Sequence, residues 1–481
     1  MSGKKACRLE FYGGCKMAIL PILLYIFLSA FFAVFYQYYS MRALVFSAFI
    51  GLLVGFLFVK NKAKYWDAVI SGLSQFGNAK LIFTFLLIGV FTKMLTFGKI
   101  GNGFVWLSTQ MHISGSLFVV FAFLASSIIS LGAGAPIAAM FAVVPIFYPP
   151  GILLGSEPAV LLGALLSGVF FGDALSPSSQ VINTTIDTQK DGETQETADL
   201  QTVLKERTPW LLLIAVIAMV LFYLFGGAET GQMANHLALL ADFSDSSGLW
   251  MLVPVIVLLV VSFKTKNLFL GLPIGILTGL VVGLVTGIFS WQDIVFVNAE
   301  ATQISGIIFD GIYSMVDIVI STILLFGMIS VAVEGGVLAL FCDWVLSKRI
   351  FCSTKGAELV LVLGTGIVNI FLSGCVLPAI LLFGHIADTI GQRSGIPPGK
   401  RVYLMTGIAT SVTAIIPVNS AFVMGAITLI NEMPDILPQS VVPSPFAIFS
   451  SSYYCILLTV VCFIWIFAER GKKKLPLAQN A

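Results

Sequence analysis

The sequence contains few charged side chains for its length. Of 481 residues only 10% are charged, whereas 58% are hydrophobic, and the mean hydropathy is +0.99. An ordinary soluble domain has about 25% charged residues. The composition therefore excludes a soluble globular protein and predicts an integral membrane protein whose main partner is the lipid bilayer.

Residues that hold metals or cofactors are also scarce. Only three histidines occur, at 112, 236 and 385, and none forms a His-x-x-His or Glu-x-x-His pattern. The seven cysteines are scattered, and Cys342 and Cys352, which could bridge, fall in a segment predicted to face the reducing cytoplasm. No paired nucleophile and base and no phosphate-cradling loop is present, so we expect no enzyme activity and no cofactor. The net charge of +2 argues against a nucleic-acid partner.

Long apolar runs predict a polytopic all-α fold. Residues 17–36 follow a basic stretch, are long enough to span a bilayer and lack a cleavage site, so we expect a retained first helix. Further spans are predicted at residues 43–59, 81–97, 159–175, 210–225, 249–263, 268–289, 318–333, 402–430 and 446–467. The runs 115–147 and 358–386 are each too long for one span and are interrupted, which predicts a broken or re-entrant hairpin in each.

The two interruptions suggest an internal repeat. The first lies at residues 130–136 and the second at 372–378, and aligning Gly132 with Gly374 also aligns Pro136 with Pro378. We therefore predict two repeats of about five spans and one hairpin each. The expected divisions are residues 1–226 for the first repeat, 227–247 for an external linker, 248–468 for the second repeat and 469–481 for a tail.

The distribution of Lys and Arg predicts that the repeats are inverted. Basic residues concentrate in the N-terminal segment, in the loops at 60–64 and 264–266, at 348–355 and in the tail, whereas 225–250 and 431–445 have none. Basic loops mark the cytoplasmic side, so both termini are expected in the cytoplasm. The expected location is the plasma (inner) membrane. The same scheme places 187–207 in the cytoplasm as a polar linker.

The stretch 167–185 is the predicted functional centre. Asp173 ends an apolar run, and Pro177 then breaks the helix, which leaves carbonyl groups and nearby serine hydroxyls without helical partners. Free polar backbone at membrane depth is tolerated only against protein or a watery cavity. An ionisable residue beside such a break is typical of a transporter's substrate site.

Four polar residues at the interruptions of the second half are expected to face Asp173: Asn369, Ser373, Asn419 and Ser420. Each taken singly is equally well explained as a hydrogen-bonding contact between packed helices. Together, however, they would form an oxygen-rich site suited to a small alkali cation or a proton. Residues with a possible gating role are Gly132, Pro136, Glu334, Pro177, Pro378 and Pro417. Asp310, Asp317 and Asp343 are expected at the membrane interface or helix ends.

The stretch 172–183, Gly-Asp-Ala-Leu-Ser-Pro-Ser-Ser-Gln-Val-Ile-Asn, resembles the signature of NhaC-type sodium/proton antiporters, Gly-Asp-Lys-Leu-Ser-Pro-Leu-Ser-Asp-Thr-Thr-Asn. The matching positions are Gly172, Asp173, Ser176, Pro177, Ser179 and Asn183. The chain departs from the signature at Ala174, where lysine is usual, and at Gln180, where a second aspartate is usual. The resemblance implies the inverted-repeat fold of the ion transporter superfamily, a possible homodimer, and an ion site that includes Asp173 as Na+ ligand with Ser176, Ser179, Gln180 and Asn183.

The missing second carboxylate predicts the exchange ratio. With Asp173 alone, one proton leaves as one sodium ion enters, so antiport is expected to be electroneutral.

The alternative function is exchange of a small organic solute, a carboxylate or an amino acid. Its transport would be coupled to Na+ or H+, and the solute would bind at the two hairpin tips. No arginine occurs at either tip to hold a carboxylate. A channel is disfavoured by the repeat and the broken helices.

Overall fold

The computed structural model describes residues 9–74, 76–111, 113, 115–192, 194–227, 244–265, 267–298, 303–337, 340, 353–431, 433 and 441–467. Ten of the helices in these ranges are long and apolar enough to cross a membrane, and an eleventh span is formed if two bent helices are counted as one. The chain is therefore an all-α, multi-pass membrane protein, as the composition predicts. Long apolar side chains such as Leu213, Val216 and Val220 are exposed on its outer faces, where lipid would cover them.

The first part of the chain forms ten helices after a 3-10 turn at Cys15–Ile19. They are α1 (Leu20–Phe35), α2 (Met41–Phe58), α3 (Lys62–Ser71), α4 (Phe76–Phe97), α5 (Ile100–Gln110), α6 (Gly115–Ala133), α7 (Pro136–Leu153), α8 (Pro158–Leu175), α9 (Gln180–Thr188) and α10 (Leu200–Phe225).

The second part begins with a 3-10 turn at Ser246–Met251 and includes one small antiparallel hairpin. Its elements are α11 (Leu252–Thr265), α12 (Leu268–Thr286), α13 (Trp291–Ile294), β1 (Phe296–Asn298), β2 (Gln303–Ser305), α14 (Ile307–Ser314), α15 (Val316–Glu334), α16 (Thr354–Phe371), α17 (Val376–Arg393), α18 (Pro398–Ile415), α19 (Ala421–Asn431), α20 (Pro445–Ser451) and α21 (Tyr453–Phe467).

Helices lie at all the predicted spans, with two differences in continuity. The span expected at 402–430 is two helices, α18 and α19, separated at 416–420. The span expected at 446–467 bends by 61° between α20 and α21. Helices α5 and α9 and the β hairpin were not predicted from the sequence, because each is short. Asp343, Cys342, Cys352, His112 and His236 lie outside the described residues.

Both interrupted stretches are helix–turn–helix hairpins whose turns are buried. The first, α6–α7, turns at Gly134 with φ of 60°, and the second, α16–α17, turns at Ser373 and Gly374 with φ of 58° and 74°. Pro136 is the first residue of its helix, whereas Pro378 is the third residue of its helix. Each hairpin turn packs against the gap of a broken helix, α8–α9 in one case and α18–α19 in the other. The inverted relation of the two halves and their boundaries remain predictions.

Close packing of α6 on α8 holds the first broken helix in place. A Cβ atom on Gly168 would come within 2.4 Å of the Phe123 carbonyl oxygen, and one on Gly172 within 2.0 Å of the Ser127 carbonyl oxygen. Glycines four residues apart let two membrane helices approach to backbone contact. Nearly every side chain of α8 is buried, so this helix is central and carries Asp173 into the protein interior.

Candidate functional site

The gap between α8 and α9 is formed by the sequence Ser176-Pro177-Ser178-Ser179. Pro177 has no N–H to continue the helix, and the Ser176 N–H turns back to the Asp173 carbonyl at 3.0 Å. The Ser178 N–H donates to Ser176 Oγ at 3.2 Å. Ser179 then caps the next helix by accepting from the Ile182 N–H at 3.2 Å. The break is therefore encoded locally by one proline and three hydroxyls.

Asp173 is the buried carboxylate of this gap. It is 1% exposed, and its Oδ2 accepts a hydrogen bond of 2.9 Å from Ser179 Oγ. Its Oδ1 has no hydrogen-bond partner in the described part of the chain. Buried polar atoms are nearly always partnered in folded proteins, so an unpartnered carboxylate oxygen indicates a position for a proton, an ion or a water.

The tip of the α6–α7 hairpin holds the gap closed. The first N–H of α9, from Gln180, donates to the Gly134 carbonyl at 2.9 Å, and Ser176 Oγ donates to the Leu131 carbonyl at 2.7 Å. A Cβ atom on Gly134 would lie 2.5 Å from the Ser178 carbonyl oxygen, so only glycine fits. The first hairpin is thereby attached directly to the segment that carries Asp173.

Arg207, which the sequence analysis did not select, faces the same site. It was included in a predicted polar linker at 187–207, but α10 begins at Leu200 and Arg207 is only 4% exposed. Its Nη2 donates to the Ala174 carbonyl at the end of α8, and its Nη1 donates to Thr406 Oγ1 on α18 at 3.1 Å. The signal in the sequence was a basic residue three positions before an apolar run, which is also common in exposed loops.

The start of α10 is fixed by its cap. Thr202 donates to Asp199 Oδ2 through both its hydroxyl and its backbone N–H, each at 2.8 Å. These hydrogen bonds lower the pKa of Asp199 below its usual value and keep it ionised at the helix N-terminus. Arg207 lies two turns further along the helix, where α10 packs on α8 and α18.

A small cavity lies between Asp173 and Arg207. Its volume is about 10 Å³, which is about the space that one water molecule needs. The remaining lining residues come from α8, α9, α10, α18 and α21 and are mostly apolar: Ala174, Val181, Ile182, Leu211, Tyr403, Thr406, Gly407, Thr410, Leu458 and Trp465. The Tyr454 hydroxyl on α21 is also buried and has no hydrogen-bond partner among the described residues. The site therefore combines one acidic side chain, Asp173, and one basic side chain, Arg207, in an apolar surrounding.

The gap between α18 and α19 has no charged side chain. Asn369 Nδ2 donates to the Ala409 carbonyl at 2.7 Å and to Thr413 Oγ1 at 2.8 Å. Ser373 Oγ donates to Tyr25 Oη at 2.7 Å, and Asn419 Nδ2 donates to the Ile370 carbonyl at 3.0 Å. Ser420 caps α19 and donates to the Thr413 carbonyl. Asn369 and Asn419 therefore connect the second hairpin to its own broken helix, whereas Ser373 contacts α1 and Ser420 bonds within the broken helix.

The structure does not bring those four residues to Asp173. No hydrogen bond joins them to Asp173 across the described chain, and the residues of α18 that line the Asp173 cavity are Tyr403, Thr406, Gly407 and Thr410. Asn369 Oδ1 and Ser130 Oγ are buried and lack partners within the described ranges. The oxygen-rich site expected around Asp173 thus consists, in this conformation, of Ser179 and threonine hydroxyls.

The other predicted residues occupy supporting positions. Gln180 is exposed, whereas Asn183 Nδ2 donates to the Pro177 and Ser179 carbonyls at 3.2 and 2.8 Å. Glu334 is the last residue of α15 and accepts from Ser71 Oγ at 3.2 Å. Gly132 is buried beside the first hairpin turn, Pro177 is exposed, and Pro417 lies in the gap after α18.

A second buried arginine joins the two parts of the chain. Arg401 of α18 pairs with Asp388 Oδ1 of α17 at 2.5 Å and donates to the Lys190 carbonyl, just after α9, at 2.7 Å. The Lys190 N–H donates a hydrogen bond of 2.8 Å to the same Asp388 oxygen.

Asp317 forms an ion pair with Arg42 at 2.9 Å, at the edge of an open cavity of about 580 Å³. No group of three metal-ligating side chains occurs in the described residues.

Two known transporters illustrate what the chain is similar to. The malate-2H+/Na+-lactate antiporter of Bacillus subtilis (strain 168) is 24% identical over 289 residues, which are 60% of this chain and 59% of the relative. The YdaH transporter of Alcanivorax borkumensis, a crystal structure, aligns over 85% of this chain and 89% of its own with 14% identity and a TM-score of 0.43. No protein-family model matches the chain. The chain is thus similar over about three fifths of its length to a curated antiporter.

Proposed function

We propose that this chain is a secondary active transporter that exchanges a monovalent cation, Na+ first, for protons at Asp173. The observation that carries the proposal is the carboxylate itself. Asp173 is fully buried in a membrane protein, lies at the gap of a broken helix and keeps one oxygen without a partner. A carboxylate inside a membrane is energetically costly, and ionisable residues at such positions typically mark ion or proton paths.

The local chemistry supports alternate binding of H+ and a hard cation. A proton on Oδ1 would neutralise the carboxylate, and the Ser179 hydroxyl would remain bonded to Oδ2. A sodium ion would replace that proton and take oxygens from Asp173, Ser179 and the carbonyls freed by the break, which are the ligands that hard cations prefer. Because a single carboxylate cannot hold both at once, binding of one displaces the other.

Alternating access would follow from movement of the hairpins against the broken helices. The α6–α7 tip is attached to the gap through the Gly134 and Leu131 carbonyls, so motion of the hairpin and motion of the gap are linked. The cavity beside Asp173 holds about one water molecule. We propose a multi-pass protein of the plasma (inner) membrane with both termini in the cytoplasm and, by resemblance, a homodimer.

A second candidate is exchange of a small organic solute coupled to H+ or Na+. Two observations favour it: the similar Bacillus subtilis protein is a malate-2H+/Na+-lactate antiporter, and the buried Arg207 supplies a cation that the hairpin tips lack. In this candidate Asp173 keeps its role as the ion-binding residue, and the solute binds in addition.

The test uses proteoliposomes with an imposed acid interior and a fluorescent pH indicator. Addition of Na+, Li+ or K+ in turn should release protons from the parent with Na+ or Li+, and the response should be absent in Asp173→Asn. A parent that responds to no alkali cation would refute cation/proton antiport. A response that persists in Asp173→Asn would refute the assignment of the site.

A further inference from the structure

Arg207 places a permanent positive charge beside Asp173. A guanidinium does not lose its proton in proteins, and this one is 4% exposed with three elements around it. It donates to the Ala174 carbonyl and to Thr406 Oγ1, while its Nε has no hydrogen-bond partner in the described ranges. The two side chains line one cavity, and no ion pair joins them directly among the described residues.

The charges of the site balance only while Asp173 is ionised. The other titratable side chains near the pair are Tyr403 on α18 and Tyr454, Cys455 and Cys462 on α21, and all four are neutral near pH 7. When H+ or Na+ neutralises Asp173, Arg207 becomes an uncompensated cation in an apolar interior. An isolated buried charge is strongly unfavourable, so the ion-loaded site requires an anion.

We propose that this anion is the carboxylate of a small monocarboxylate substrate and that Arg207 binds it. The inference rests on the proposed role of Asp173 as the ion carrier. Loading of Asp173 by H+ or Na+ and binding of one carboxylate to Arg207 then occur together, and the loaded site is again neutral. A dicarboxylate would bring a second negative charge for which the described site has no partner, so a monocarboxylate is preferred.

The guanidinium geometry fits this role. Arginine binds carboxylates through two parallel N–H groups, and Arg207 has Nε available, while Nη1 and Nη2 contact one hydroxyl and one carbonyl. The cavity of about 10 Å³ is too small for an organic acid, so substrate enters when α8, α10 and α18 separate. In the present arrangement the Ala174 carbonyl occupies the position that the substrate carboxylate would take.

Exchange of [14C]-L-lactate across proteoliposomes that contain the full chain tests the proposal. The parent should exchange lactate faster at low pH or with Na+ than without either, and prefer lactate to malate. The rate of lactate exchange in Arg207→Gln should be at least about tenfold lower than in the parent, which is equivalent to about 1.4 kcal/mol. Arg207→Lys keeps the positive charge but loses the two parallel N–H donors, so it should retain part of the lactate exchange. Lys205→Gln, which removes an exposed base from the same helix, should match the parent.

The same variants distinguish binding of a substrate carboxylate by Arg207 from a structural role in which Arg207 only caps the end of α8. Without the neighbouring cation, Asp173 takes up a proton at higher pH, so proton release from Arg207→Gln should shift to alkaline pH by about one unit or more. A variant Arg207→Gln with parental lactate exchange, or with a parental pH profile, would overturn the inference. Na+/H+ exchange in the parent that lactate does not affect would overturn it too and leave the proposed antiport intact. In Asp173→Asn the neutral amide leaves Arg207 uncompensated at every pH, so lactate exchange should persist but no longer depend on pH or Na+. Lactate exchange in that variant that still rises at low pH or with Na+ would overturn both.

Discussion

The two broken helices are held by the same kind of contacts but differ in charge. In each, a hairpin carbonyl accepts the first N–H of the second segment: Gly134 from Gln180, and Ser373 from Ala421, both at 2.9 Å. In each, a capping serine donates back to the first segment. Ser179 donates to the Asp173 carboxylate six residues earlier, whereas Ser420 donates to the Thr413 backbone seven residues earlier.

This difference in charge distinguishes the structural role of the second gap from the proposed ion-binding role of the first. At the neutral gap Asn369 donates to Thr413, Thr413 to the Gly374 carbonyl and Ser420 to the Thr413 carbonyl. One neutral amide oxygen, Asn369 Oδ1, has no partner in the described chain. The charged gap leaves an oxygen of Asp173 and a nitrogen of Arg207 without partners in the described chain. An unpartnered buried polar atom indicates a missing ligand, proton or water, and leaving a charged group unpaired costs more free energy than leaving a neutral amide unpaired. The shared contacts therefore explain the broken helices, and only the first gap has a carboxylate, the group that the proposed ion exchange needs.

Neutralising the first gap should have the largest effect. Asp173→Asn should reduce proton release on addition of Na+ to the level of vesicles without protein, because an amide neither takes up a proton nor balances a cation. Thr413→Val, the matched change in the neutral gap, should slow exchange by less than about fivefold, the equivalent of about 1 kcal/mol. Equal loss in both variants, with both proteins monodisperse in detergent, would contradict the distinction between the gaps.

The hairpin turns should differ in their tolerance of a side chain. Gly134→Ala and Gly374→Ala both place an L-residue at positive φ, which costs about 1–2 kcal/mol. The Cβ at 134 would also lie 2.5 Å from a backbone oxygen, while the Cβ at 374 would lie 3.1 Å from the Ser420 hydroxyl. Gly134→Ala should therefore lower the temperature at which half the detergent-solubilised protein is lost by more than Gly374→Ala does. The reverse order would show that the first tip is not clamped on the gap.

The capping serines should separate stability from ion binding. Ser179→Ala and Ser420→Ala each lose a helix cap, worth about 1 kcal/mol. Only Ser179 donates to the carboxylate, and that bond stabilises the ionised form by about 1.5–3 kcal/mol. Without it Asp173 protonates more readily, so the pH of half-maximal exchange should rise by about one unit, which is about 1.4 kcal/mol. Ser179→Thr should restore the parental profile. A matching shift in Ser420→Ala would contradict this assignment.

The sequence was sufficient for features that depend on local chemistry. Pro177 and the surrounding hydroxyls predict the break, and the apolar runs predict the helices, because both follow from one stretch of chain. Residues brought together from different helices were not predictable in this way. Arg207 lies 34 residues after Asp173 in the chain and looks like a loop residue, and Thr406 and Tyr454 were hidden among many similar side chains on α18 and α21.

One residue of the resemblance, Gln180, lies away from Asp173 in the structure. The signature places a second aspartate where Gln180 stands, which suggested that this position belongs to the ion site. In the structure the first residue of α9 is exposed, and no hydrogen bond joins its side chain to Asp173 in the described chain. Its backbone N–H, rather than its side chain, has the structural role, through the Gly134 carbonyl.

Gln180→Asp should therefore have the smallest effect of these substitutions. A carboxylate in the first turn of α9 favours the helix N-terminus by about 0.3–1 kcal/mol but lies in an exposed position away from Asp173. Exchange should remain electroneutral, with no change in a voltage-sensitive dye when Na+ is added to proteoliposomes. Gln180→Asn controls for the change in size. A membrane potential generated by Gln180→Asp alone would show that this side chain reaches the ion site during transport, and that the number of carboxylates there sets the number of protons exchanged.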